Sequence, residues 1–173
     1  MNPLQTIVCA ATLLMLCGCA SPPRARHMIY SGKVSGRFNP ALLNAITTVP
    51  ATRGRQLNAV SSAEFDTEAF DAALQQSLRA HALFSDSGRF QLQTHILKII
   101  QPPGRFNMKV TTHIEYTLVE SATAKSVFKN TVIADHTAFA PEALTSIKRR
   151  RLANEGAGRS NIAHFLEQLS QLP

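Results

Sequence analysis

The chain has no cysteine beyond residue 19; Cys9, Cys17 and Cys19 are its only three. A disulfide framework within the body of the protein is thereby excluded, and the fold must stand on its core. Residues 1–18 contain no charged side chain, so the whole net charge of +7 belongs to the remainder. The uncharged apolar stretch Thr6 to Leu16 is too short to span a bilayer, which takes about 20 residues. No G-x-S-x-G, phosphate-binding glycine loop or H-E-x-x-H occurs. No internal repeat or low-complexity tract appears either. With no evident set of nucleophile, base and orienting group, the chain is not expected to be an enzyme, and no cofactor is implied.

What is present begins with Leu16-Cys17-Gly18-Cys19. It closes an apolar run of signal-peptide length and is followed by small, proline-rich and basic residues. That pattern reads as a lipobox, in which Leu16 fills an apolar subsite and Gly18 is small enough for the peptidase cleft. Cleavage before Cys19 leaves its thiol to carry diacylglycerol. The n-region Met1 to Gln5 has no Lys or Arg, a departure from the usual signal. The competing readings are a non-lipidated secretory peptide and a buried apolar strand. Residues 1–18 are thus expected to be a signal peptide, 19–27 a lipidated tether and 28–173 one domain. No Asp follows Cys19; the resemblance of this segment to proteobacterial lipoproteins implies that this favours the outer membrane over retention at the inner one. The expected location is lipid-anchored on its periplasmic face, where two or three acyl chains hold stably.

About 155 residues remain after cleavage, enough for one sizeable core. A basic periplasmic domain can meet anionic phospholipid, lipopolysaccharide phosphates or peptidoglycan carboxylates. Nucleic acid is not expected as a partner, because that compartment offers little of it.

Along the chain, Met28 to Phe38 alternates weakly as a strand, with Gly32 and Gly36 interrupting it. Asn39-Pro40 offers an N-cap and a first-position proline for a short turn through Leu42, Leu43 and Ile46. Thr47 to Ser62 reads as a long loop. Asp66 or Thr67 caps a helix to about Ala82, with Phe70, Ala73, Leu74, Ser77, Leu78 and His81 on one stripe. Strands follow over Arg89–Gln101, Arg105–Val119 and Lys125–Thr137. A Pro102-Pro103-Gly104 turn joins the first two, and the third is edge-like in its poorer alternation. In the middle strand Phe106, Met108, Val110, Ile114, Tyr116 and Leu118 face a core, opposite Lys109, Thr111, His113 and Glu115. From Pro141 a last helix runs to about Gln171, its apolar side formed by Leu144, Ile147, Leu152, Ile162, Phe165, Leu166 and Leu169. Gly156 and Gly158 suggest a bend in it, within a small-residue patch fit for close approach to the sheet. The expected fold is α+β, a two-layer sandwich of order β-α-β-β-β-α. Its sheet is mostly antiparallel, with two helices on one face and the polar face open.

Two basic segments are candidate contacts for an anionic ligand: Arg53 with Arg55, and Lys148-Arg149-Arg150-Arg151. The alternative for the second is a solvated helix turn whose aliphatic stems cover apolar neighbours. His95, His113 and His136 lie on three strands, but a turn at Pro102-Pro103 sets His95 opposite about Val110 and the next sets His136 opposite about Lys109. Without convergence no metal site is expected.

The segments FDAALQQSL (Phe70–Leu78), YTLVESATAK (Tyr116–Lys125) and RRLANEGAGRSNI (Arg150–Ile162), with the lipobox, resemble a family of uncharacterised proteobacterial lipoproteins. The element order is also similar to that of the lipoprotein of the lipopolysaccharide translocon and of auxiliary lipoproteins of lipid-transporting ABC systems. These resemblances imply a fold and an envelope setting, and they bring no functional residues. They point to a non-enzymatic accessory or assembly subunit with an envelope protein as partner. A lipid- or lipopolysaccharide-binding module is the alternative.

Overall fold

The computed structural model describes residues 24–54, 65–101 and 106–173. The signal segment, Cys19, Arg55 and the Pro102-Pro103-Gly104 turn lie outside the described residues. The architecture is α+β: a mixed, open five-stranded sheet with two main helices.

The chain enters as a single helical turn, α1 (Ala25–Met28), with Ala25 and Met28 buried. Its first three residues belong to the expected tether. Residues 29–38 do not form the expected strand. Their backbone groups are taken by side chains of other elements instead of a ladder. The Tyr30 N–H donates to Ser77 Oγ at 2.9 Å, and the Ser35 N–H donates to Glu167 Oε2 at 2.9 Å. Asn39 then caps a 3₁₀ turn, Pro40–Leu42, as its side chain accepts from the Ala41 N–H. Ile46, expected in that turn, opens a strand, β1 (Ile46–Thr48). The expected loop also contains β2 (Thr52–Arg53). Both run parallel to β3 (Phe90–Ile100) along one edge, β1 beside Phe90–Leu92 and β2 beside His95–Ile96.

Helix α2 (Thr67–Ala80) forms as its sequence dictates. The Asp66 carboxylate accepts from the Ala69 N–H at 3.0 Å, and Phe70, Ala73, Leu74, Ser77 and Leu78 are buried. Strands β4 (Met108–Glu120) and β5 (Ser126–Ala138) complete an antiparallel meander, β3-β4-β5, with β5 at the edge. A bulge between Ile96 and Lys98 turns Ile99 inward, and a second irregularity sits at Leu118/Val119. The β3–β4 register differs from the expected one, since His95 faces Glu115 and His113 faces Lys98, whereas His136 faces Val110, one residue from the expected Lys109. Phe106 lies ahead of β4 and is exposed.

Helix α3 (Ser146–Leu169) is capped by Thr145 and packs on β4 and β5. It runs without the expected break. Gly156 lies against His136 and Gly158 against Met28, so each glycine is the site of a close approach instead of a bend. Ile162, Phe165, Leu166 and Leu169 are buried as expected, whereas Leu144 and Ile147 are exposed. Phe165 stacks on Tyr116 with ring centroids 4.1 Å apart. Asn161 supplies the polar pin of this layer, accepting from the Tyr116 hydroxyl at 2.8 Å. Its amide donates to Thr112 Oγ1 and to the Val132 carbonyl, each at 3.0 Å.

Candidate functional site

Three surfaces could serve function, and each follows from how the elements lie. The first is the sheet face turned away from the helices. Alternation along β4 buries Met108, Val110, Thr112, Ile114, Tyr116 and Leu118 and turns Lys109, Thr111, His113, Glu115 and Thr117 outward. On β5 the outward neighbours include Lys129, Ile133 and Asp135, and on β3 Gln93 and His95. Diagonal cross-strand pairs hold this face in order: Lys109 to Asp135 at 2.9 Å and Lys129 to Glu115 at 3.4 Å. Half-exposed pairs of this kind each contribute about 0–1 kcal/mol, so they set side-chain positions more than stability. Ile133 stands between them at 55% exposure, facing His113 across the pair.

The second surface is an open cleft of about 600 Å³ at the N-terminal end of α2. Arg24, Arg53, Asp66, Glu68 and Asp71 bring two cations and three carboxylates to it. Arg53 reaches it from β2: its Nε donates to Thr67 Oγ1 at 2.7 Å and its NH2 to the Phe65 carbonyl at 3.1 Å. Asp71 Oδ2 accepts from the Ala51 N–H at 2.9 Å. Burial pushes the Asp71 carboxyl up to about 6, opposed by that hydrogen bond and reinforced by the charge of Glu68. The buried Tyr116 phenol is likewise raised by burial, with the Asp71 charge adding to it. A carboxyl poised near neutrality can take up and release a proton. Among the described lining residues, however, there is no histidine or cysteine, and the Thr67 hydroxyl is occupied by Arg53.

The third surface is the basic first part of α3. The four consecutive cations spread around the helix, as a 100° step per residue requires. Lys148 and Arg151 are exposed and Arg150 is half-buried. Arg149 is turned inward at 8% exposure, its NH1 donating to the Ala143 carbonyl at 2.6 Å. Arg151 lies 3.7 Å from Glu155, one turn on. Arg53 lines the cleft at the start of α2, Lys148–Arg151 lie in the first part of α3, and Arg55 and Cys19 lie outside the described residues. His95 bonds Thr52 Oγ1 through Nδ1 at 2.6 Å, His136 packs against Gly156, and His113 faces outward. Among the described residues no three metal-ligating side chains converge.

Sequence reasoning missed the carboxylates around Arg53, the inward turn of Arg149 and the exposure of Leu144 and Ile147. Ile147 precedes Phe165 by five ideal helical turns, so periodicity assigns both to one face. In the structure, Gly156 sits at the level of His136, two residues from the end of β5. From there α3 extends back about 13 Å to Ile147, while β5 continues only about 7 Å. The first turn therefore overshoots the sheet and leaves Leu144 and Ile147 exposed among the described residues, while Arg149 is turned inward.

No family model matches the sequence, and no curated protein matches it. The fold, by contrast, has clear relatives among solved structures. A DUF330 protein from Xanthomonas campestris is 12% identical with a TM-score of 0.57, over 82% of this chain and 94% of that one. A candidate lipoprotein from Caulobacter crescentus is 15% identical with a TM-score of 0.51, over 75% and 91%. The PelC dodecamer from Paraburkholderia phytofirmans is 12% identical with a TM-score of 0.51, over 79% and 94%. At these identities the likeness is one of fold.

Proposed function

We propose that the chain is a lipid-anchored, non-enzymatic envelope protein, held by Cys19 at the periplasmic face of the outer membrane. There its domain acts as an accessory or assembly subunit for a protein partner. One observation carries this reading: among the described residues, a three-strand meander of 11 to 13 residues per strand is covered by helices on one side only. The uncovered side is ordered by its own ion pairs and carries the exposed Ile133. The lipobox supports the anchor, and the Caulobacter crescentus protein that shares the fold is itself a candidate lipoprotein. A position-specific photocrosslinker at Ile133 or His113 should capture one discrete envelope protein in living cells, whereas the same group at the exposed Ala122, in the β4–β5 turn, should not. Cys19→Ala should reduce that adduct. Equal or absent adducts at all three positions would remove the docking face.

The alternative function is binding of anionic phospholipid or lipopolysaccharide through basic side chains. The exposure of Lys148 and Arg151 favours it. Arg149 and Arg53 are engaged with the protein itself. It expects salt-sensitive lipid binding that Lys148→Ala with Arg151→Ala abolishes.

A further inference from the structure

Large exposed apolar side chains gather at one end of the domain. Phe106 is 76% exposed, Phe139 52%, Leu144 97% and Ile147 83%. They belong to two adjacent segments. Met108 pairs with Ala138 in the ladder, and the Ala140 N–H donates to Asn107 Oδ1 at 3.3 Å, which holds the segment with Phe106 alongside the segment with Phe139 at this end of the sheet. Leu144 and Ile147 follow at the overshooting start of α3. The cations of Lys148–Arg151 come immediately after them. Two carboxylates stand against these cations: Glu142, which accepts from the Phe139 N–H at 3.0 Å, and Glu155, 3.7 Å from Arg151, so the excess there is cationic. Exposed apolar side chains of this size at one end of the domain, with cations beside them, mark an interaction surface.

The path of the N-terminal segment says what covers it. Arg24 lies in the cleft with Asp66 and Thr67, at the start of α2, and with Arg53, which pairs with Ile96. From there the chain runs away from that end. Tyr30 meets Ser77, Ser35 meets Glu167, and Asn39 meets Pro173 at the far end of α3. The described chain therefore begins at the end of the sheet where β3 finishes and α3 starts, the same end as the apolar group. Cys19 is five residues ahead of Arg24, a reach of at most about 18 Å when fully extended. An acyl chain on Cys19 would hold this end at the bilayer.

From this geometry we infer that Phe106, Phe139, Leu144 and Ile147 enter the interfacial layer of the anchoring bilayer, with Lys148 and Arg151 against its anionic headgroups. The inference rests on lipidation of Cys19. It fixes the orientation of the domain: the β4–β5 turn points away from the membrane, and the open sheet face stands upright beside it. Apolar insertion combined with cationic attraction is the chemistry by which peripheral surfaces hold to anionic bilayers.

The test uses the full-length protein purified from membranes, with single cysteines introduced at Leu144→Cys, Ile147→Cys or Ala122→Cys. Each is labelled with a thiol-reactive fluorophore. The body of the chain has no cysteine of its own. Each protein is reconstituted into phosphatidylethanolamine–phosphatidylglycerol vesicles carrying a nitroxide-labelled lipid. Loss of emission at 144 and 147, with emission at 122 retained, is the expected result. The mass of the N-terminal peptide tests the anchor independently. A lipidated protein with unquenched labels at 144 and 147, or with 122 quenched equally, overturns the orientation while leaving the anchor intact. An unmodified Cys19 removes the anchor and the inference together. If the labels stay unquenched and the unlabelled Leu144→Cys protein instead crosslinks between copies under a mild oxidant, the inference is overturned and the surface is assigned to a second copy of this chain.

Discussion

Replacing Gly156 by alanine sets two effects of opposite sign against each other. In a helix interior, glycine costs about 1 kcal/mol relative to alanine, so helix propensity alone predicts a more stable protein. In the fold, the new Cβ would overlap the Cδ2 and Cγ atoms of the His136 ring. Overpacking of this kind costs about 1–3 kcal/mol. His136 is only half-buried, so its ring can partly give way. The net expectation is a loss of about 1 kcal/mol. A double-mutant cycle isolates the cause. With His136→Ala in place the obstruction is gone, and Gly156→Ala should then stabilise by up to about 1 kcal/mol, a coupling of about 2 kcal/mol. Gly158→Ala is the internal comparison. Its Cβ would sit 2.8 Å from Met28 Sδ, on a flexible side chain that can yield, so a smaller loss follows. The assay is urea unfolding followed by circular dichroism, because the chain has no tryptophan, with midpoints compared at unchanged slope. Stabilisation by Gly156→Ala in the otherwise unchanged protein, or equal effects in both backgrounds, would refute the close approach of α3 to β5.

Three further outcomes are expected. Asn161→Ala should cost about 2–5 kcal/mol in the same unfolding assay. It strands the buried Tyr116 hydroxyl and takes a donor from Thr112 Oγ1, which keeps its bond to the Ala134 carbonyl, and from the Val132 carbonyl. Asp71 has a folded pKa of about 6 against 3.8, so between those values the folded state holds more protons than the unfolded one. Stability should therefore fall as pH rises from about 4 to 6, by on the order of 1–2 kcal/mol after screening at the cleft, and Asp71→Asn should flatten that slope. Leu144→Ser with Ile147→Ser should change stability by less than about 0.5 kcal/mol, whereas a core position would lose about 2–5. Unfolding midpoints distinguish the two.

Local rules were sufficient where an element satisfies itself. Asp66 and the stripe from Phe70 to Leu78 define α2, because capping and 3.6-residue spacing are properties of adjacent residues. The alternation of β4 and the irregular edge character of β5 were equally plain. Residues 29–38 misled because their apolar side chains do pack on the core, but their backbone is satisfied by Ser77 and Glu167, distant in sequence. The parallel pairing of β1 and β2 with β3 was hidden in Thr- and Pro-containing stretches too short for periodicity to register. Of the candidate site, the basic residues on α3 were visible, but not the inward turn of Arg149 nor the acidic neighbours of Arg53.

The sequence by itself determined the α+β class, the cap and core stripe of α2, the long meander, and the lipobox that motivates the anchor. Each depends on residues within one turn, one strand or one short motif. Only the tertiary structure decided that Gly156 and Gly158 are contact points instead of a break, and that Ile147 is bare while Phe165, in phase with it, is buried. It also decided that the chain enters at the apolar, basic end of the domain. Periodicity assigns a side chain to one face of a helix. Whether anything covers that face depends on where the neighbouring strands end, and that is a property of the assembled layers.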